Sequence, residues 1–225
     1  MTQTQALLRG QSAFTHIVAR LPPGGRIVAE SGAMASMSGH VALAAEFNGG
    51  LLNAILLKFF AHESLFVNRF TAVGAAGEVV LTQATPGDIA AVELRGEELC
   101  LTAGSFIACT DGVQVSVAWA GFSSFLAGEG LFRLKVRGTG TVWFGGYGSV
   151  TTADVNDGLI VDTGHLVAYD PTVSMKTRLS GGLFSSFFSG EGLVLEVRGA
   201  GRVFLQSRSV EGLAAWVNGH LGGRR

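Results

Sequence analysis

The stretch "GEGLFRLKVRGTG" (residues 128–140) returns further along the chain as "GEGLVLEVRGAG" (residues 190–201). A run so rich in glycine invites a reading as a phosphate-binding loop, and the choice between loop chemistry and repeated architecture decides the fold. A dinucleotide-binding turn needs G-x-G-x-x-G between a strand and a helix. Here Gly128 and Gly130 are followed by Arg133, and Gly138 and Gly140 by Trp143, so the third glycine is missing in both frames. The flanking residues alternate with a period of two: Phe132, Leu134 and Val136 against Arg133, Lys135 and Arg137, and Val194 apart from Glu196 and Arg198. That is the pattern of half-buried strands. The glycines are therefore expected to supply positive φ in turns between strands.

Working outward, the repeat extends over the whole chain. One copy runs "GSFIACTDGVQVSVAWAGFSSFLAGEGLFRLKVRGTGTVWF" from Gly104, and another "GHLVAYDPTVSMKTRLSGGLFSSFFSGEGLVLEVRGAGRVFL" from Gly164. A fainter copy begins at Gly32, and the anchors align as Gly32, Gly104 and Gly164, then Glu63, Glu129 and Glu191, then Gly77, Gly140 and Gly201. Between Glu and the last glycine the middle copy is one residue longer than the last, which in a strand inverts every later side chain unless a β-bulge absorbs it. The bulge is expected near Phe132 to Lys135. Turn signals such as "LPPGGR", "TPGD", "TDG", "NDG" and "RGTG" separate short runs, the spacing of a sandwich or barrel. Helix is expected only near "GGLLNAILLKFFAHE" and in the tail "SVEGLAAWVNGHL". The chain thus reads as all-β: repeat 1 over 12–87 with an inserted apolar helical segment, repeat 2 over 88–150, repeat 3 over 151–210, and a helical tail over 211–225.

Composition narrows the function classes. Glycine makes up 33 of 225 residues and proline only 4, so the chain is neither collagen-like nor Pro-rich and disordered. With 48% hydrophobic and 15% charged residues it carries too few charges to cover a monomer comfortably, which favours an oligomer burying apolar faces. Sixteen Lys+Arg against seventeen Asp+Glu leave no electrostatic footprint for nucleic acid. Cys100 and Cys109 sit in the apolar runs "ELCLT" and "FIACT" and read as small core residues. The opening "MTQTQALLRGQSAF" has neither a secretory nor a transit pattern, giving a cytoplasmic expectation. The longest apolar run, "LLNAILLKFFA", is interrupted by Asn53 and Lys58 and falls short of the ~18 residues a spanning helix requires.

Chemistry has few sponsors. His16, His40, His62, His165 and His220 show no metal-ligand spacing. "DVNDG" (residues 154–158) resembles a calcium loop, but its oxygens fall at wrong offsets and an Asp-Gly turn accounts for it better. No G-x-S-x-G elbow occurs, and neither cysteine lies beside His or Lys. Glu63, Glu129 and Glu191 read as one turn-stabilising carboxylate inherited three times. No catalytic, metal or cofactor residue is assigned, and a non-enzymatic protein is expected.

Two binding surfaces are candidates. The apolar segments before the three glutamates place Leu52, Leu56, Phe59, Phe60, Phe122, Phe125, Leu126, Phe184, Phe187 and Phe188 at equivalent points, either as packing between repeats or subunits or as a contact face for a membrane surface or protein partner. Asp162, Gln206, Ser207 and Arg208 form the alternative, a small-ligand pocket between β units in which the Arg208 guanidinium meets a carboxylate or phosphate, unless it is simply paired with Asp162.

"ESLFVNRF", "EGLFRLKVRGTGTVWFGGYG", "VDTGHLVAYD" and "EGLVLEVRGAGRVFLQSRS" closely resemble the bacterial branch of the family named for altered inheritance of mitochondria (AIM), from about Phe14 to Ser209. The resemblance implies the fold of the tryptophan RNA-binding attenuation protein (TRAP-like): three tandem short double-stranded β-helix or β-sandwich units per chain, with a homotrimer closing a nine-unit ring. Ring closure removes exposed sheet edges. Mitochondrial relatives are implicated in inner-membrane organisation, a role that transfers poorly without a transit segment, and the namesake's RNA binding transfers worse without a basic stripe.

Overall fold

The computed structural model describes residues 3–10, 12–47, 66–119, 132–179 and 193–221. Alternating runs bounded by glycine turns become strands almost throughout. The first third holds β1 (Gln5–Arg9), β2 (His16–Leu21), β3 (Arg26–Glu30), β4 (Met34–Met37), β5 (Val41–Phe47), β6 (Phe66–Ala72) and β7 (Gly77–Leu81). The middle third holds β8 (Gly87–Leu101), β9 (Phe106–Thr110), β10 (Val113–Trp119) and β11 (Phe132–Tyr147). The last third holds β12 (Val150–Val155), β13 (Leu159–Asp162), β14 (Leu166–Tyr169), β15 (Ser174–Leu179), β16 (Leu193–Arg198) and β17 (Gly201–Gln206). Apart from a 3-10 turn at Thr163–His165, the described helix is α1 (Val210–His220), where the tail was expected to be helical. The protein is mostly β, as its alternation implies.

Pairing in the first third places β7 between β2 and β4, and β6 between β5 and β3. In the middle third two long strands serve both layers. The second half of β11 lies between β9 and the first half of β8, and its first half between β10 and the second half of β8. In the last third β17 lies between β12 and β14, and β16 between β15 and β13. A register slip recurs as well, between Met34 and Ser36, between Trp143 and Phe144 in the β9 pairing, and between Leu166 and Ala168.

The aligned glycines Gly77, Gly140 and Gly201 each sit where a side chain would collide with a neighbour. A Cβ at Gly77 would stand 2.5 Å from Val41 Cγ2, and at Gly201 2.8 Å from Thr172 Oγ1 and 2.9 Å from Val173 Cγ2, whereas at Gly140 it would collide with Thr110 Oγ1 and reach Val113 Cγ2 only at an ordinary contact distance of 3.4 Å. Val41 and Val173 are buried, so at Gly77 and Gly201 the glycine leaves room for a core side chain on the neighbouring hairpin.

The bulge is not where the sequence suggested. From Phe132 to Gly138 β11 pairs β10 without a break, and the shift falls between Arg137 and Thr139 in the pairing with β8. At that point two residues of β8, Gly96 and Glu97, stand against the single Gly138, so the extra residue of the bulge belongs to β8; Val136 and Gly140 keep the spacing of Val197 and Gly201, so the middle copy's additional residue is not taken up here. Gly138 (φ 138°) and Gly140 (φ 144°) flank the shift, and a Cβ on Gly138 would collide with the Gly112 carbonyl. These glycines lie inside a continuous strand and not, as expected, in a hairpin turn. In the last third Gly199 (φ 109°) does occupy the turn between β16 and β17.

Three buried clusters follow one another along the chain. Ile17, Phe70 and Leu81 belong to the first, Leu99, Val136 and Phe144 to the second, and Val161, Leu195 and Val203 to the third. They merge across the thirds: Trp143 and Ala108 pack into the first cluster, and Phe144 meets Phe204 edge-on at 5.0 Å.

Candidate functional site

Strand pairs join each third to the next. Between the first two, β3 runs antiparallel to β9 with Val28 opposite Cys109 and Ala29 opposite Ala108. Between the second and the last, β8 runs antiparallel to β14 with Cys100 opposite Tyr169 and Leu101 opposite Ala168. All eight residues are buried. The junctions are dry enough to move titrations: burial pushes the Cys109 thiol up to about 12, raises Cys100, and pushes the Tyr169 phenol up to about 12. The Tyr169 oxygen accepts from Arg133 Nη1 at 3.0 Å, while the buried Arg133 Nε has no partner among the described residues. Both cysteines are free and buried, as their apolar surroundings imply.

The ladders place every strand of these junctions in register with a counterpart elsewhere. Ala108 and Cys109 stand against β11, and Ala168 and Tyr169 against β17, as Ser36 and Met37 stand against β7. Likewise Val28 and Ala29 stand against β6, and Cys100 and Leu101 against β11, as Ile160 and Val161 stand against β16. So β4 is the counterpart of β9 and β14, and β13 the counterpart of β3 and the end of β8. Yet β4 ends its sheet, β1-β2-β7-β4, and β13 ends its own, β13-β16-β15. All four residues of β4 are exposed, and Ile160 is 51% exposed. Unpaired edges of this kind are templates for another strand.

The proposed pocket residues are spread over two loops and largely committed to the fold. The Asp162 carboxylate accepts from the Gly164 N–H at 2.9 Å and caps the 3-10 turn. Gln206 accepts from the Tyr147 N–H at 2.8 Å and donates to the Gly164 carbonyl at 2.8 Å, so its amide ties the β14 approach to the end of β11. Ser207 Oγ accepts from the Ser149 N–H at 2.9 Å. No salt bridge joins Arg208 to Asp162 among the described residues. Gln206 lines a cleft of about 400 Å³ together with Gln83, Thr102, Ser105, Tyr147 and Glu211. Its lining is knitted together internally: Thr102 Oγ1 donates to the Val167 carbonyl at 3.0 Å, Ser105 Oγ to the Thr102 carbonyl at 2.8 Å and Gln83 Nε2 to the Gly146 carbonyl at 3.2 Å. A second cleft of about 630 Å³ is lined by Arg95, Glu97, Glu98, Asp170 and Arg202, where Arg202 clasps Asp170 through Nε at 3.0 Å and Nη2 at 3.1 Å.

The proposed contact face, Leu52, Leu56, Phe59, Phe60, Phe122, Phe125, Leu126, Phe184, Phe187 and Phe188, lies outside the described residues, as do Glu63, Glu129 and Glu191. No described helix is long and apolar enough to cross a membrane. The open edges were missed in the sequence because "MASM" carries no alternation. The signal that finds them is an alignment of the copies strand by strand, since the first copy's fourth strand and the last copy's second are left over.

Comparison with known proteins agrees with this architecture. The model of the family described as mitochondrial biogenesis AIM24 matches residues 7–208. An uncharacterised protein of Streptococcus pyogenes serotype M6 is 28% identical over 210 residues, covering 89% of this chain and 84% of that protein. A crystal structure of a Streptococcus pyogenes protein, solved as a structural-genomics target, superposes with a TM-score of 0.79 at 26% identity, covering 97% of this chain and 100% of the other.

Proposed function

The chain belongs to the mitochondrial biogenesis AIM24 family, and from that premise we propose that it is a non-enzymatic scaffold whose chains join head to tail. In this reading the chain is three tandem TRAP-like β-sandwich units. β13 of one copy pairs with β4 of the next, placing Ile160 opposite Met37 and Val161 opposite Ser36, and three chains close a ring of nine units. A head-to-tail contact uses different patches on each copy and forms a ring when its rotation closes.

The observation that carries the reading is the complementarity of the two leftover edges, which repeat the strand positions of the β3·β9 and β8·β14 junctions. Closing the ring buries Ile160 and Met37, each worth roughly 1.5–3 kcal/mol if fully removed from water. A scaffold also accords with the chemistry of the described residues, whose two thiols are buried and held protonated. Light scattering coupled to size exclusion should give the mass of three chains, falling to one chain in Ile160→Lys with an unchanged circular dichroism spectrum. A wild-type chain that elutes alone at micromolar concentration defeats the reading.

The Phe-rich segments remain the proposed contact face of this scaffold, toward a membrane surface or a protein partner. Replacing Phe125, Phe187 and Phe188 together by Ser is expected to abolish binding to anionic vesicles while the three-chain mass persists. If that variant falls to single chains, the segments belong to the interface.

A further inference from the structure

The 11 residues of α1 bury none of their side chains. Val210, Leu213, Trp216 and Leu221 are large, apolar and exposed, Trp216 by 61%, and they fall along one side of the helix. Ser209 caps its first turn, accepting from the Gly212 N–H at 3.0 Å. A helix this short is marginal in water unless tertiary packing holds it. What covers it follows from where it starts.

Thr15, Asp88 and Ser149 are equivalent: two residues further on, Ile17, Ala90 and Thr151 face Leu81, Phe144 and Leu205. The first two hand their N–H toward the following third, whereas the Ser149 N–H donates to Ser207 Oγ of its own chain at 2.9 Å. Thr15 N–H donates to the Gly87 carbonyl at 3.1 Å and Asp88 N–H to the Gly148 carbonyl at 2.7 Å, the acceptor each time being the residue just ahead of the next equivalent position. In the head-to-tail ring the residue at that position beyond Ser149 is Phe14 of the next copy. Phe14 is 74% exposed. Its place in the series lies beside Ser149, whose N–H is held by Ser207 Oγ, and so at the root of α1. The root also rests on the turn that follows the open edge β13, since a Cβ on Gly164 would meet Ser209 Cβ at 3.1 Å.

We propose that α1 is a coupling arm: its apolar face packs over Phe14 of the next copy, so that each junction of the ring is held by the β13·β4 pair and by this helix. The inference rests on the head-to-tail reading above and adds a contact the two internal junctions lack, because there the chain itself continues into the next unit.

Trp216 reports on it directly. Acrylamide quenching of Trp216, taken as the difference between wild type and Trp216→Phe, is compared in three samples whose masses are measured by light scattering: wild type, Phe14→Ala, and the single-chain variant Ile160→Lys. The expected result is protection in the assembled wild type that is lost in Ile160→Lys and lost again in Phe14→Ala while the latter stays assembled. An assembled wild type whose Trp216 quenches as freely as in Ile160→Lys overturns the arm but leaves the ring. So does protection that survives Phe14→Ala. A wild type that runs as single chains overturns both.

Discussion

Two strand junctions inside the chain and two bare edges at its ends are built from equivalent residues and differ only in having a partner. Cys109 and Tyr169 are 0% and 4% exposed, whereas Met37, which stands at the same rung, is 39% exposed; Cys100 is 2% exposed against 51% for Ile160. The residue types follow the difference only loosely. At closed junctions the rungs carry Val, Ala, Cys, Leu and Tyr, and at the open edges they carry Met, Ser, Ile and Val, which is still apolar enough to be buried. An edge meant for solvent is ordinarily blunted with lysine, proline or an inward charge. β4 carries no such device, and the one charge of β13, Asp162, is spent on the Gly164 N–H, which is why we propose that the two edges meet.

The comparison breaks most visibly if both kinds of site respond alike to a charge. Ala108→Asp places an unpaired carboxylate in the fully buried β3·β9 junction, at a cost of about 3–5 kcal/mol, comparable with the ~5–15 kcal/mol that holds an ordinary domain. Cooperative urea unfolding should be lost or sharply weakened. Ser36→Asp, on the same rung of the open edge, should leave the single chain within about 0.5 kcal/mol of its stability, as exposed substitutions do, and remove assembly alone.

Next in size is a restoration. Ile160→Lys and Met37→Glu should each reduce assembly, and the two together should recover it, since opposite charges directly across an antiparallel pair attract. Recovery of the three-chain mass sharpens the register, and a double variant no better than the worse single one argues for a different alignment.

Smaller still is the effect of Gly77→Ala. The added methyl meets Val41 Cγ2 at 2.5 Å and should cost about 1–3 kcal/mol, relieved when Val41→Ala makes room. Thermal unfolding of the two single variants and the double one measures the coupling.

The smallest effect is in pH. Burial pushes Cys109 and Tyr169 up to about 12, above the ordinary 9.0 of a thiol and 10.0 of a phenol, and raises Cys100 as well. Below the unfolded values both states are protonated and the groups contribute no pH dependence. As pH rises from 9 toward 12 the unfolded chain loses protons the folded one keeps, so stability falls across that window. Neither thiol should react with a disulfide reagent at pH 8 until the chain unfolds, which absorbance at the released chromophore follows.

Much of the fold was legible because its repeated constraints are local. Gly77 and Gly201 each begin a strand and leave room for a buried valine, Val41 and Val173, while Gly140 holds the same place inside β11. The free cysteines read as core from their immediate neighbours. The shift escaped the sequence because alternation continues through Phe132 to Arg137 whether or not the partner strand slips, and only the pairing with β8 reveals that Gly96 and Glu97 stand against Gly138. The open edges escaped for a related reason: which strand joins one third to the next is a non-local fact, carried by Ala29 and Ala108 meeting across the chain and by no motif within either strand. The polar residues Asp162 and Gln206 suggested a pocket because their backbone partners, Gly164 and Tyr147, are visible only in the folded loops.

Head-to-tail closure is tested most directly by a disulfide. Residues opposite each other in an antiparallel pair have Cα atoms about 4.5–5.5 Å apart, inside the roughly 4.4–6.8 Å a disulfide spans. Met37→Cys and Ile160→Cys in separate chains, mixed and mildly oxidised, should give a cross-linked two-chain species that neither variant forms alone. Both substitutions in one chain should convert the protein to covalently closed three-chain rings. Cross-linking absent from the mixture, with the assembled mass unchanged, would show that the copies meet through surfaces other than β13 and β4.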